Sequence, residues 1–299
     1  MALIKLRDVA FFSMNRSIRI GLIQMHCSSS REENLKRALE KISEAAAKGA
    51  HVVSLPELFQ SLYFCQKKDD RDAFTHTEAI PGETTKALSE AARKLKITLV
   101  GGSIFEKSSN GKFYNTTPVF GPDGVLLGTY QKTHIPEDLR FHEQHYFSPG
   151  DTGIKVFETP FGKVAPLICF DQWFPEAARV AALQGAEILF YPTAIGNFAD
   201  EASGEGSWQD AWETVQRGHA IANNVFVAAV NRVGREDDLE FFGGSFICDA
   251  FGKVLARAGH EEEILLAECD LSMIPEVREG WGFFRNRRPE TYEEITRKL

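Results

Sequence analysis

The chain has 299 residues, 43% of them hydrophobic and 25% charged, with a formal net charge of −8. That supplies enough apolar material for a large core, while the acidic balance argues against a nucleic-acid-binding surface and is compatible with a cationic substrate. No apolar run reaches the ~20 residues of a membrane-spanning helix, and five scattered cysteines without a C-x-x-C pair exclude a disulfide scaffold and fit reduced thiols in the cytoplasm.

Residues 1–17 lack the apolar stretch of a signal peptide and read as an extension ahead of the main domain, 18–275. A first strand is expected at 18–25. Over 31–48, Leu35, Ala38, Leu39 and Ile42 fall at i, i+3, i+4 and i+7, an amphipathic helix that Gly49 ends. A strand at 51–55, a helix at 84–95 and a strand at 97–104 follow. Segments 114–120 and 125–131 form a hairpin across Gly121-Pro122-Asp123-Gly124. An apolar run then leads to Cys169, and Pro175 opens a helix to 184. Next come a strand at 186–191, a helix at 207–223 and a strand at 225–231. A last hairpin, 244–249 with 254–258, turns on Ala250-Phe251-Gly252-Lys253. Such alternation predicts a layered α/β fold with helices outside the sheets. The tail, 276–299, carries Gly280-Trp281-Gly282-Phe283-Phe284-Arg285, aromatic and basic, and docks either on the chain's own surface or on another copy.

Three strand ends carry chemistry. Pro56-Glu57 follows the 51–55 strand, Lys132 closes the 125–131 strand, and Cys169 ends Val164-Ala165-Pro166-Leu167-Ile168. A strand end holds a side chain rigidly and leaves it accessible. A cysteine thiol is mostly protonated at neutral pH, so a base and a cation beside it both help it attack as thiolate. Glu57 is the candidate base. Lys132, flanked by anions, stays charged and suits an oxyanion better than a proton transfer. The backbone N–H of Phe170 is a second oxyanion donor.

In order, Pro-Glu, Lys-x-His and Cys followed by Asp-x-x-x-Pro-Glu resemble the nitrilase superfamily of carbon–nitrogen hydrolases over residues 18 to 292. That resemblance implies a two-sheet α-β-β-α sandwich, a thiol amidohydrolase needing no metal or organic cofactor, and a tail packed across a homodimer interface. It also makes Glu143 a second glutamate of the site, placed to hold Lys132. His142-Glu143-Gln144-His145 is not a zinc motif, because its histidines stand three apart where H-E-x-x-H needs four on one helical face. No G-x-S-x-G, G-x-x-x-x-G-K-[ST] or G-x-G-x-x-G occurs.

Within the superfamily, Asp-Gln-Trp-Phe-Pro-Glu after Cys169, the Gly-His-Ala and Gly-Trp-Gly triplets and Ser148-Pro149-Gly150-Asp151 resemble the branch that hydrolyses N-carbamoylputrescine. Gln172 and Trp173 stand where carboxylate-gripping relatives carry arginines, so Trp173 is expected at the substrate. Glu137 and Asp138 are candidates for the substrate's ammonium, or a solvated acidic loop. Two departures stand against this branch: Phe170 beside the nucleophile, and Glu137-Asp138-Leu139-Arg140 where a glycine-rich turn is usual. Arg140 would instead favour a carboxylate-tailed substrate, as in an ω-amidase or a β-ureidopropionase. Outside the enzymes, a catalytically idle scaffolding member would leave Cys169 unreactive.

Overall fold

A computed structural model describes residues 16–200 and 204–298; the expected extension, apart from Arg16 and Ser17, lies outside the described residues. The first sheet runs in the order Glu263–Asp270, Ser17–Gln24, Val52–Ser54, Thr98–Val100, Phe113–Phe120, Ile104–Lys107, with Leu126–Gln131 also paired to Phe113–Phe120. The second sheet runs Val254–Arg257, Phe246–Cys248, Phe226–Val230, Ile188–Pro192, Gly162–Pro166, Phe157–Thr159.

The side-chain alternation of the strands builds four layers. From Ser17–Gln24, Ile18, Ile20 and Leu22 meet Val164, Ile188, Phe190, Phe226 and Ala228 of the other sheet in one core. Ile23 points the other way, into a core with the helices Arg31–Ala47 and Glu83–Leu95. Ala165, Leu189 and Val227 point away from that central core, toward the helices Pro175–Leu183 and Trp208–Asn223. The α-β-β-α sandwich is therefore present, and the predicted helices form within a residue or two of their expected ends.

Three expectations change. The 97–104 strand is two strands, Thr98–Val100 and Ile104–Lys107, because Gly102 takes φ +64° and turns the chain between them. Glu263–Asp270, not anticipated, pairs with all eight residues of Ser17–Gln24; its Glu263, Glu268 and Asp270 lie exposed and give the segment a charged look. A helix, Met273–Trp281, spans the expected boundary between main domain and tail.

In the first sheet Ser17–Gln24, Val52–Ser54 and Thr98–Val100 are parallel, and in the second so are Gly162–Pro166, Ile188–Pro192 and Phe226–Val230. Parallel strands present all their carboxyl ends on one side, where ligands bind in open α/β sheets. A Cβ added to Gly102 would lie 2.4 Å from the Pro56 carbonyl oxygen, one residue before Glu57. Gly102→Ala is expected to destabilise the fold by about 1–3 kcal/mol, from strain at positive φ and that contact; a urea unfolding midpoint equal to the native one would refute this.

Candidate active site

Glu57, Lys132 and Glu143 converge with no solvent exposure at all. Lys132 Nζ lies 2.8 Å from Glu57 Oε1 and 2.8 and 2.7 Å from the two oxygens of Glu143. An ammonium has three N–H groups, so these contacts saturate it. Two carboxylates hold the Lys132 ammonium protonated: burial alone would lower its pKa, but Glu143 and then Glu57 outweigh burial and raise it well above the ordinary value. Glu143 is pushed up to about 7, by burial first and by the charge of Glu57, against the pull of Lys132. Its Oε1 also accepts from the buried Tyr63 hydroxyl at 2.8 Å. Glu57 Oε1 accepts a second bond, from Asn115 Nδ2 at 2.8 Å, while Oε2 is buried without a partner among the described residues.

The backbone under Glu57 is clamped. Arg232, fully buried, donates to the carbonyls of Glu57 and Leu58, both at 2.8 Å, and to Ser61 at 3.2 Å. Glu236 balances its charge at 2.9 Å and accepts from the Tyr63 N–H at 2.6 Å. The clamp holds Leu58 at φ +47°, an uncommon conformation for a branched side chain. Glu57 N–H reaches across to the Thr193 carbonyl, on the sheet that carries the cysteine.

Cys169 stands at φ +42°. Non-glycine residues in that region are held there by their surroundings, commonly at active sites. Asp171 supplies the restraint: one oxygen accepts from Ile168 N–H and Tyr130 O–H at 2.8 Å, the other from His134 N–H at 3.0 Å. His219, from the Gly-His-Ala triplet, lies 2.8 Å from the Gln172 carbonyl and steadies the same turn. Phe170 is the second residue of the 3₁₀ turn Cys169–Trp173, where N–H groups lack partners within the turn and can meet an oxyanion.

Burial, followed by the charge of Glu57, raises the Cys169 thiol well above its ordinary pKa, with Lys132 opposing. Burial thus favours the protonated thiol at Cys169, and any attack by its sulfur would call for a base. Its Sγ lies 3.9 Å from the Ala194 carbonyl, at the end of the neighbouring strand.

Cys169 borders a cavity of about 740 Å³ whose wall also includes Phe170, Trp173, Asp138 and Glu205, with Glu143 buried behind it. Asp138 and Trp173, read from the sequence as substrate candidates, thus both line this cavity. Glu137 does not line the cavity; its carboxylate is 2.8 Å from His142 Nδ1 on the short hairpin Glu137–His142. Arg140 is likewise off the cavity, paired with Asp238 at 2.8 Å. His134 pairs with Asp171, while His142 and His145 flank Glu137, so the three histidines do not meet on one point.

A family model described as carbon-nitrogen hydrolase matches residues 19–279. The chain belongs to that family. Like the other carbon-nitrogen hydrolases, it is an enzyme that cleaves C–N bonds. It is 40% identical over 291 residues to N-carbamoylputrescine amidase of Solanum lycopersicum, covering 94% of this chain and 95% of that one. Citrullinase of Francisella tularensis is 40% identical (94% and 99% covered), and omega-amidase NIT2 of Homo sapiens 39% (92% and 97%). The crystal structure of a carbon-nitrogen hydrolase from Helicobacter pylori G27 superposes with a TM-score of 0.90 at 40% identity, covering 95% of this chain and 99% of that one.

Tyr63, Asn115, Arg232 and Glu205 were not among the residues read from the sequence. Asn115 sits in an Asn-Thr-Thr glycosylation pattern, yet it is fully buried on a strand, a poor place for asparagine unless its amide is used. Glu57→Gln is expected to lower kcat about 100- to 10,000-fold, the usual worth of a general base. Alkylation of Cys169 by iodoacetamide in the free enzyme is expected to be slow at pH 7 and still rising at pH 9, because the thiol's pKa lies above that range. A labelling plateau reached below pH 7 would contradict a resting thiol.

Proposed function

We propose that this carbon-nitrogen hydrolase is a thiol amidohydrolase that cleaves the carbamoyl C–N bond of N-carbamoylputrescine to putrescine, carbon dioxide and ammonia. The carrying observation is the charge of the cavity. Asp138 and Glu205 line it, Cys169 stands in its wall, and among the described residues no lysine or arginine lines it. A substrate with a carbamoyl group at one end and an ammonium at the other fits that pattern. The likeness to N-carbamoylputrescine amidases supports the same reading. A carboxylate tail would need a cation, and Arg140 is committed to Asp238.

In the proposed reaction, Glu57 Oε2 takes the thiol proton as Sγ attacks the carbamoyl carbon. The Phe170 N–H receives the oxyanion, and Lys132 joins it by releasing one of its two contacts to Glu143. Collapse expels ammonia, which takes the proton from Glu57, and leaves a thioester on Cys169. Glu57 then deprotonates a water that attacks the thioester; the thiolate leaves and is reprotonated, and the freed carbamate loses carbon dioxide to give the amine. No step draws on a metal or organic cofactor.

The proposal includes a cytoplasmic homodimer or larger homo-oligomer. All five cysteines are free and buried, as suits a reducing compartment. Ile221 packs on Gly252, and Phe251 stacks on Trp281 with ring centroids 5.2 Å apart, forming an exposed apolar strip in which Trp281 is 59% exposed. Phe284, further along the tail, is tied inward between Arg179 and Arg278. A second copy is the proposed cover for the strip. Trp281→Glu is expected to lower the mass seen by light scattering on a sizing column; an unchanged mass would remove this part.

Ammonia release should be faster with N-carbamoylputrescine than with citrulline or N-carbamoyl-β-alanine at equal concentration. Asp138→Asn should raise KM for the cationic compound about 10- to 100-fold, the worth of one charge-assisted bond, and leave the others little changed. A preference for N-carbamoyl-β-alanine would overturn the substrate.

A further inference from the structure

Asn115 touches both neighbours of the nucleophile. Its backbone carbonyl accepts from the Lys132 N–H at 2.8 Å, and its side-chain Nδ2 donates to Glu57 Oε1, also at 2.8 Å. It stands in the middle of Phe113–Phe120 with no exposure, so neither contact is exchanged with solvent. Glu57 Oε1 thereby holds two donors, Asn115 Nδ2 and Lys132 Nζ. Oε2 has none among the described residues.

A carboxylate so loaded is no longer symmetric. A proton arriving at Oε1 would meet two N–H groups already pointing at that oxygen, while Oε2 offers uncommitted lone pairs. The terminal torsion of a glutamate is soft and nearly two-fold. With Lys132 as the only donor, the group could turn, because that ammonium also follows Glu143. The amide is the fixed partner: it rides on a central strand, paired on one side with Ile104–Lys107 and on the other with Leu126–Gln131.

We propose that Asn115 is a positioning residue that selects which oxygen of Glu57 serves as the base, by tying Oε1 so that Oε2 faces the reacting atoms. This inference rests on Glu57 being the base. It needs an N–H donor at Nδ2 and not merely a side chain of that size.

The test compares Asn115→Ala, Asn115→Asp and Glu57→Gln, with kcat and KM measured from pH 5.5 to 9 on full-length enzyme and unfolding midpoints taken alongside. Asn115→Ala is expected to lose about 10- to 100-fold in kcat, the scale of a mispositioned reacting group, with KM within about threefold of native. Asn115→Asp is expected to be slower still at pH 8. Its activity relative to native should recover as pH falls, because a protonated carboxyl can donate an O–H where the amide donated an N–H. A packing role alone gives no such recovery. Native kcat in Asn115→Ala, or a raised KM with kcat unchanged, overturns the proposal. If Asn115→Ala does not fold, Asn115→Asp decides through its pH profile: recovery supports the proposal and a profile parallel to native refutes it. Native activity in Glu57→Gln would instead overturn the assignment of the base, independently of Asn115.

Discussion

The structure is organised around one buried ammonium. Lys132 and its two carboxylate partners have no exposure, and moving charges of that size out of water costs several kcal/mol each unless they meet in good geometry. Removing one partner from such an arrangement typically costs about 3–5 kcal/mol. The three residues come from separate places in the chain, and only the packed sheets bring them together. The fold must therefore be complete before the charges are balanced, and the layered cores supply the burial energy that this requires. Around the trio, Tyr63, Asn115 and Arg232 spend their polar groups on Glu143, on Glu57 and on the backbone beneath it, so that little in the site is free to relax.

This arrangement explains why the Cys169 sulfur favours its protonated form. With Lys132 saturated by Glu57 and Glu143, little positive charge is left over to stabilise a thiolate. In the proposed reaction, attack and proton transfer then occur together, once a substrate sits in the cavity. In that proposal the oxyanion breaks the deadlock by offering Lys132 a partner in place of the second oxygen of Glu143. Stabilisation is thus arranged for charge that develops during the reaction, which is where it accelerates chemistry.

Much of this was legible in the sequence. Glu57, Lys132 and Cys169 each stand at or just past the end of a strand, and a strand tip followed by a polar residue is a local pattern. The helices were legible by their periodicity. What escaped depended on distant partners. Asn115 is hidden among threonines, and its use shows only when the 113–120 strand is laid beside Glu57. Arg232 follows an ordinary apolar strand, and its targets lie 171 or more residues away. Glu263–Asp270 begins directly after two further glutamates, Glu261 and Glu262, a charged context that conceals a strand whose buried residues are Leu265, Ala267 and Cys269. The cavity wall was only half readable: Asp138 reaches it, but neighbouring Glu137 faces the opposite side of its short hairpin, a distinction set by side-chain alternation in a segment too brief to show periodicity.

The elevated proton affinity of Cys169 has a consequence for the enzyme between turnovers. Peroxide and similar oxidants react with thiolates, and a thiolate once oxidised to the sulfinic state is not readily recovered. Burial favours the protonated form of Cys169 and leaves it almost wholly covered, which makes it a poor target for that damage. Under the proposed mechanism, the burial that makes Cys169 dependent on Glu57 therefore also shields its sulfur from oxidants between turnovers.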